Sequence, residues 1–231
     1  MDLIIWEDDS FVIINKPAGI STLADRFNPE NILVLARKMN PNFKVCHRLD
    51  KNTSGLLVLA KNNNAYKYFS KMLERRNVHK IYHALVERKI DFETEKVTLP
   101  ILTRANRSRV DFELGKPSLT FFTTLERYRF HSLVACRPIT GRMHQIRIHL
   151  SALGLPICGD HDYGGQSIFL SKIKKKYNQK AKTERPLMHR IALHAYEISY
   201  LDPQGHPIRV IAEYPKDLQI TTNQLKKNND R

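Results

Sequence analysis

A short polar loop holds the first residues that could do chemistry. Residues 46–55 read CHRLDKNTSG and lie between two apolar runs, where functional residues gather when rigid elements hold both ends of a loop. Asp50 is close to Arg48 and Lys51, two cations that would keep its carboxylate ionised for use as a base or nucleophile. An ordinary aspartate in a surface turn would also fit the short motif His47-Arg48-Leu49-Asp50, so this loop alone leaves both interpretations open.

A second polar group of residues follows Thr140-Gly141. The spacing predicts a helix over residues 143–153, with an apolar stripe on one side and His144, Arg147 and Ser151 on the other. A guanidinium on that face could bind a carboxylate or a phosphate through two hydrogen bonds. The alternative is a basic helix face in contact with water.

The histidines and cysteines lack the spacing of a metal site or a nucleophile. His144 and His149 are five positions apart, about 140° around a helix, whereas two ligands of one ion would be three or four apart. Cys46 adjoins His47, but neighbouring side chains on a strand point to opposite faces. The sequence also has no nucleophile elbow, Walker loop or dinucleotide-binding glycine motif. We therefore expect no metal, and three thiols kept reduced.

The charge of the chain indicates a polyanionic partner. Its 231 residues include 38 Lys+Arg and 23 Asp+Glu, a formal net charge of +15. Such an excess favours nucleic acid, because neutralised phosphates release counterions. A basic surface that only aids solubility is the alternative. The chain has no apolar run of about 18 residues and no basic leader of a signal peptide, so we expect a cytoplasmic protein without a membrane span.

Strands outnumber helices in the pattern along the chain, which predicts an α+β fold around an antiparallel or mixed sheet. The expected elements are hairpins over 2–15 and 192–212, helices over 30–39, 64–76 and 143–153, and strands over 56–60, 80–86, 108–114, 118–127 and 131–137. We expect one catalytic domain over residues 1–218. Within it, residues 171–185 form a basic loop or insertion, and their composition leaves two interpretations open, an inert solvated loop and an RNA contact. Residues 219–231 are expected to form a polar, frayed tail.

Several motifs resemble those of the RluA family of RNA pseudouridine synthases and follow one another along the chain in the same order as in that family. The two longest are His47-Arg48-Leu49-Asp50 with Thr53-Ser54-Gly55, and the stretch from Thr140 to His149. Five shorter motifs match as well: Asn15-Lys16-Pro17 with Gly19, Lys80-Ile81-Tyr82, Gly115-Lys116-Pro117, Gly159-Asp160 with Tyr163-Gly164, and Leu193-His194-Ala195. The resemblance extends from about residue 3 to residue 214 and leaves out residues 171–185.

The resemblance implies a pseudouridine synthase fold, with a central sheet, flanking helices and a basic active-site cleft. It implies an enzyme that isomerises uridine in structured RNA, tRNA or rRNA, without cofactor or metal. The N1–C1′ bond is broken, the uracil turns, and C5 is joined to C1′. The family's catalytic aspartate corresponds to Asp50, its active-site tyrosine to Tyr82, and the basic partner of the aspartate to Arg147. Arg48 resembles an arginine that displaces the target base. Other motif residues expected to contact RNA or the base are His47, Arg142, His144, Gln145, Lys80 and Lys16.

The chemistry of the reaction agrees with these assignments. A reacting carboxylate must be charged, and a bidentate arginine would lower its pKa and fix its rotamer. A uracil must leave the RNA stack to be reached, and an aromatic ring can hold it. The resemblance begins near the N-terminus, so we expect no S4-type RNA-binding module and a monomer that binds RNA through its own basic surface. The alternatives are a non-catalytic RNA-binding protein or RNA chaperone on the same fold, and an RNA-cleaving enzyme.

Overall fold

The computed structural model describes residues 3–24, 29–105, 107–174, 177 and 183–229. The strands of this part of the chain are β1 (Ile4–Glu7), β2 (Phe11–Lys16), β3 (Lys44–Val45), β4 (Ser54–Ala60), β5 (His79–Val86), β6 (Glu95–Val97), β7 (Ile101–Arg104), β8 (Arg107–Val110), β9 (Thr120–Arg127), β10 (Ser132–Pro138), β11 (Leu193–Leu201) and β12 (Pro207–Ile211). The helices are α1 (Ile32–Met39), α2 (Asn63–Glu74), α3 (Gln145–Ala152), α4 (Leu170–Ile173) and α5 (Lys216–Lys227), with a 3-10 turn over His161–Tyr163.

The chain divides into two compact units. Unit 1 comprises Met1–Tyr82 and His194–Glu213, and unit 2 comprises His83–Leu193 and Tyr214–Arg231. The chain passes from one unit to the other within β5, again within β11, and a third time between Glu213 and Tyr214. Each unit therefore combines segments that are distant in sequence.

Unit 1 is a mixed sheet with a helix packed against it. Its strand order is β1-β2-β4-β11, with β3 also paired to β4 and β12 to β11. The β4–β11 pair is parallel and the other pairs are antiparallel. All seven residues of β4 are buried, and α2 packs against this strand. Phe11, Phe69 and Tyr200 meet edge to face at centroid distances of 5.2–5.7 Å, which makes them the aromatic centre of the core.

Unit 2 has an antiparallel sheet in which β9 pairs with β10 on one side and β6 on the other. A separate two-stranded sheet is formed by β7 and β8. Helix α3 packs against β8, β9 and β10, and α4 packs against α5. The predicted α+β class with a mixed sheet is confirmed, as are both hairpins and all three predicted helices within a few residues. No helix of the described residues is long and apolar enough to cross a membrane.

Two boundary predictions need correction, and a third falls mostly outside the described residues. The strand predicted over 108–114 ends at Val110, because the carboxylate of Asp111 accepts hydrogen bonds from the backbone of Glu113 and Leu114 and forms a turn. The frayed tail is wrong for α5, which begins at Lys216 and buries a face of two leucines and two threonines: Leu218, Thr221, Thr222 and Leu225. Of the predicted insertion, residues 175–176 and 178–182 lie outside the described residues, and its start belongs to α4.

Candidate active site

The loop that carries Asp50 is held on both sides by hydrogen bonds to the segment after β2. Before it, buried Leu49 exchanges two bonds with the hydroxyl of Thr22, which donates to the Leu49 carbonyl at 2.8 Å and accepts from its N–H at 3.1 Å. After it, the carbonyl of Lys51 accepts from the N–H of Gly19 at 2.8 Å. The N–H of Thr53 donates to the carbonyl of Asp50 at 3.1 Å and closes the turn. The backbone at Asp50 is therefore fixed, while its side chain remains half-buried.

Lys16 belongs to this loop as a structural residue. It is fully buried, and its ammonium donates to the carbonyls of Pro17, Ile20 and Lys51 at 2.8, 2.9 and 3.2 Å. A buried ammonium needs such hydrogen-bond partners, because moving its charge out of water costs a large free energy. The prediction that Lys16 contacts RNA is wrong. Its ammonium instead ties the end of β2 to the peptide that follows Asp50.

The strand after the loop begins with a close approach to β11. Gly55 has φ = +110°, and a Cβ atom there would lie 2.2 Å from the carbonyl oxygen of Ala195. Next to it, the hydroxyl of Ser54 lies 2.9 Å from Nδ1 of His194, whose Nε2 lies 3.1 Å from the carbonyl of Ala212. Since only an N–H can bond to that carbonyl, Nε2 is the protonated nitrogen and Nδ1 accepts from Ser54. A glycine and a buried hydrogen-bond chain thus fix where β4 starts.

Tyr82 lies on β5 in the same unit as Asp50, and the two side chains interact. Burial raises the pKa of the Tyr82 hydroxyl, and the negative charge of Asp50 raises it further. The tyrosine therefore stays a neutral phenol at physiological pH. A neutral, half-buried ring suits stacking on a base and hydrogen bonding through its hydroxyl.

Lys80 and His47 form the neighbouring part of unit 1. Lys80 lies two positions before Tyr82 and so on the same face of β5, and burial lowers the pKa of its ammonium. Burial and the charge of Lys80 lower the pKa of His47 to about 3, so its imidazole is neutral. Its Nε2 accepts a hydrogen bond from the backbone N–H of Val58 at 3.2 Å, and its ring stacks on Phe69. His47 thus supports β4 and α2, while the residue is half-buried and its RNA contact stays a prediction.

In unit 2, Arg147 lies on α3 and is buried, with 6 % of its surface exposed. Its Nε and one Nη donate to the two carboxylate oxygens of Asp160 at 2.8 and 2.7 Å. The same Nη donates to Asp162 at 3.0 Å, and the guanidinium carbon lies 4.7 Å from the centroid of the Tyr163 ring. Arg147 thus makes the bidentate contact to a carboxylate that its type allows, but the carboxylate is that of Asp160, and its pairing with Asp50 stays a prediction. The alternative of a basic face in water is wrong, because α3 is buried on both sides.

The three other polar residues at the start of α3 have different roles. His144 has φ = +56°, so the helix begins at Gln145 rather than at 143, and its Nδ1 lies 2.8 Å from the hydroxyl of Tyr163. Gln145 is buried, accepts from Thr140 and from the N–H of Arg142, and donates to Leu119 and Thr120. The predicted RNA contact of Gln145 is therefore wrong. Arg142 is exposed, as is Arg48 in unit 1, and both stay predicted RNA contacts.

Neither the thiols nor the histidines offer a competing chemistry. Cys46, Cys136 and Cys158 are buried, and burial raises the pKa of each thiol, that of Cys46 to about 12. They are packing residues and not nucleophiles. No group of three or more potential metal ligands occurs in the described part of the chain. Sequence reasoning missed two supporting residues, Thr22 and Asp160; only the Gly159-Asp160 motif gave a signal for the second.

Comparison with known proteins agrees with this geometry. The family model described as "RNA pseudouridylate synthase" matches residues 10–152, which include Asp50, Tyr82 and Arg147. The chain is 36 % identical over 218 residues to the dual-specificity RNA pseudouridine synthase RluA of Vibrio parahaemolyticus, covering 90 % of this chain and 81 % of that protein. It is 36 % identical over 239 residues to the ribosomal large subunit pseudouridine synthase D of Xanthomonas campestris, covering 99 % and 70 %.

A solved structure gives the same result. The human RNA pseudouridylate synthase domain containing 1 superposes with a TM-score of 0.70 at 28 % identity, covering 92 % of this chain and 83 % of that one. The chain therefore belongs to the RNA pseudouridine synthase family, whose members are isomerases that convert uridine in RNA to pseudouridine.

Proposed function

We propose that the reaction of this enzyme uses the side chains of Asp50, Tyr82 and Arg147, and that its substrate is a uridine in transfer or ribosomal RNA. The observation that carries the proposal is the interaction of the Asp50 carboxylate with the neutral Tyr82 phenol at the end of a fixed loop. Uridine isomerisation needs an anionic group for the sugar or base and an aromatic surface for the detached uracil, and these two residues supply them.

Each side chain has a physical task in this proposal. The carboxylate of Asp50 acts on the target nucleotide while the N1–C1′ bond breaks. The ring of Tyr82 stacks on the uracil while it turns, and base–aromatic stacking is worth about 1–3 kcal/mol. Its raised pKa favours stacking and hydrogen bonding over removal of the C5 proton by a phenolate. Arg147 supplies a guanidinium of fixed orientation, and Arg48 helps to displace the base from its stack.

The RNA is held by the basic surface of the chain. The net charge of +15 is accompanied by exposed arginines on the β7–β8 sheet: Arg104, Arg107 and Arg109. The similar Vibrio protein is named as dual-specific and the Xanthomonas protein as a ribosomal large subunit enzyme, so both kinds of RNA are candidates. We propose that the enzyme acts as a monomer in the cytoplasm.

The test is release of tritium from RNA labelled at uridine C5, with transfer and ribosomal RNA assayed separately. We expect the wild type to release tritium from at least one pool and Asp50→Asn to release none while still binding RNA. Asp9→Asn, an exposed aspartate in the β1–β2 turn, is the matched control and should behave as wild type.

Other results would refute the proposal. Turnover by Asp50→Asn at the wild-type rate would remove Asp50 from the chemistry. Tight binding of both pools without release by the wild type would favour a non-catalytic RNA-binding protein or chaperone. Shortened RNA after incubation would indicate cleavage.

A further inference from the structure

The loop that follows β10 and α3 in unit 2 is built around one buried carboxylate. Asp160 exposes 1 % of its surface, and its carbonyl accepts hydrogen bonds from the backbone N–H groups of Tyr163 and Gly165 at 3.1 and 2.9 Å. A Cβ atom at Gly159 would lie 2.4 Å from the carbonyl oxygen of Arg190, and one at Gly165 would lie 1.9 Å from that of Ile157. The sequence thus uses two glycines to let the backbone pack closely around a single acidic side chain.

The carboxylate of Asp160 binds the side chain of Arg147. Both of its oxygens accept from the guanidinium of Arg147, at 2.7 and 2.8 Å. Such a pair is planar and charge-assisted, so it sets the orientation of the guanidinium as well as its position. The ring of Tyr163 covers one face of the guanidinium at 4.7 Å, and the Tyr163 hydroxyl lies 3.1 Å from the carbonyl of Ser108.

Asp162 contacts the same guanidinium but in a different way. It accepts one hydrogen bond from Arg147 at 3.0 Å, and its side chain is 79 % exposed. An exposed ion pair contributes little, because water screens it. The two aspartates therefore offer a comparison in which the partner is the same and only burial and geometry differ.

We propose that Asp160 is a positioning residue that holds the guanidinium of Arg147 in the one orientation its role in the reaction requires. An arginine side chain has four rotatable bonds, and a bidentate contact to a buried carboxylate removes that freedom before RNA binds. Asp160 acts through Arg147 and does not touch the RNA. This inference rests on the role of Arg147 given under the proposed function.

The test compares Asp160→Asn with Asp162→Asn in tritium release, using concentrations corrected by the stoichiometry of RNA binding so that only folded enzyme is counted. Misplacement of a catalytic group by about 1 Å can cost about 100-fold in rate. We expect kcat of Asp160→Asn to fall about 10- to 100-fold, with KM for RNA within about twofold of wild type. Asp162→Asn should stay within about twofold in both constants.

A double-substitution measurement separates positioning from a general structural effect. Under single turnover with excess enzyme, Asp160→Asn should slow the Arg147→Ala variant by less than about threefold, because residues that act as a unit are not additive. An equal loss in both backgrounds would show that Asp160 does not act through Arg147 and would overturn the proposal, as would a wild-type kcat in Asp160→Asn.

A measurement on the unaltered protein covers the case in which Asp160→Asn does not fold. Nitrogen-15 relaxation of Arg147 Nε should report a rigid bond vector without RNA, and a mobile one would overturn the proposal. Failure of the proposed function is distinguishable, because it would appear as an inactive wild type, whereas failure of this inference requires an active one.

Discussion

Lys16 provides the sharpest test of how the catalytic loop is held. Its ammonium is fully buried and donates to the carbonyls of Pro17, Ile20 and Lys51. Lys16→Met keeps most of the side-chain volume and removes the donor. The carbonyl of Lys51 still accepts from the N–H of Gly19, but those of Pro17 and Ile20 lose a bond to a charged donor.

The size of the effect follows from these contacts. A buried polar group left without its partner costs about 1–3 kcal/mol, so two such carbonyls cost about 2–6 kcal/mol. Removing a buried charge also removes its desolvation cost, which places the net loss towards the lower end. Domains unfold with about 5–15 kcal/mol, so we expect Lys16→Met to fold and to lose stability clearly.

Urea unfolding measures the stability, and tritium release measures the consequence for Asp50. We expect kcat to fall more than RNA affinity, because the loosened peptide adjoins Asp50 whereas the ammonium is too deeply buried to reach RNA. Lys67→Met, on the exposed face of α2, should change the free energy of unfolding by less than about 0.5 kcal/mol. Wild-type stability in Lys16→Met, or a loss of RNA affinity with kcat unchanged, would refute the reasoning.

Substitutions at three further residues, with Gly205 as a control, test other parts of unit 1. Tyr82→Phe should keep RNA affinity and Tyr82→Ala should lose about 1–3 kcal/mol of it; equal binding of both variants in a filter assay would argue against stacking. Gly55→Ala combines backbone strain of about 1–3 kcal/mol with overlap on Ala195 of about 1–3 kcal/mol. Gly205→Ala has only the strain, because Gly205 has φ = +90° and an added Cβ there would meet no atom within 4 Å. Urea titration compares the loss of stability in the two variants. The lowered pKa of His47 means that its contribution is present above pH 6.5 and is lost as pH falls towards about 3. His47→Asn should flatten that part of the stability profile, and an unchanged slope would contradict a neutral imidazole.

Periodic patterns predicted the fold because they depend on neighbours along the chain. The β1–β2 hairpin and α2 lie where alternation and a 3.6-residue stripe indicate them. Helix α5 was missed because its buried face includes threonines, which count as polar residues in the sequence although their methyl groups can pack in a core. Helix α3 begins two residues late because His144 adopts a left-handed conformation, which no periodicity encodes.

The sequence indicated the type of each active-site residue better than its surroundings. A lysine or glutamine in a motif reads as a surface group, yet Lys16 and Gln145 are buried. Lys16 reaches a carbonyl 35 positions away, and Gln145 bonds with Thr120, 25 positions away. Such burial depends on contacts made by folding, so the sequence predicted RNA contacts where the structure has internal hydrogen bonds.

The arrangement around Asp50 explains why this division occurs. The proposed reacting group is a carboxylate, and its residue type is visible in the sequence. The groups that hold it bond to the backbone on either side: Thr22 to Leu49, and Gly19 and Lys16 to Lys51. Any residue type can offer a backbone carbonyl as a hydrogen-bond acceptor, so the identities of Leu49 and Lys51 do not reveal that their carbonyls accept these bonds. A shift of the backbone at Asp50 would have to break several of these bonds together, and the loop therefore holds that backbone in a fixed place before RNA arrives.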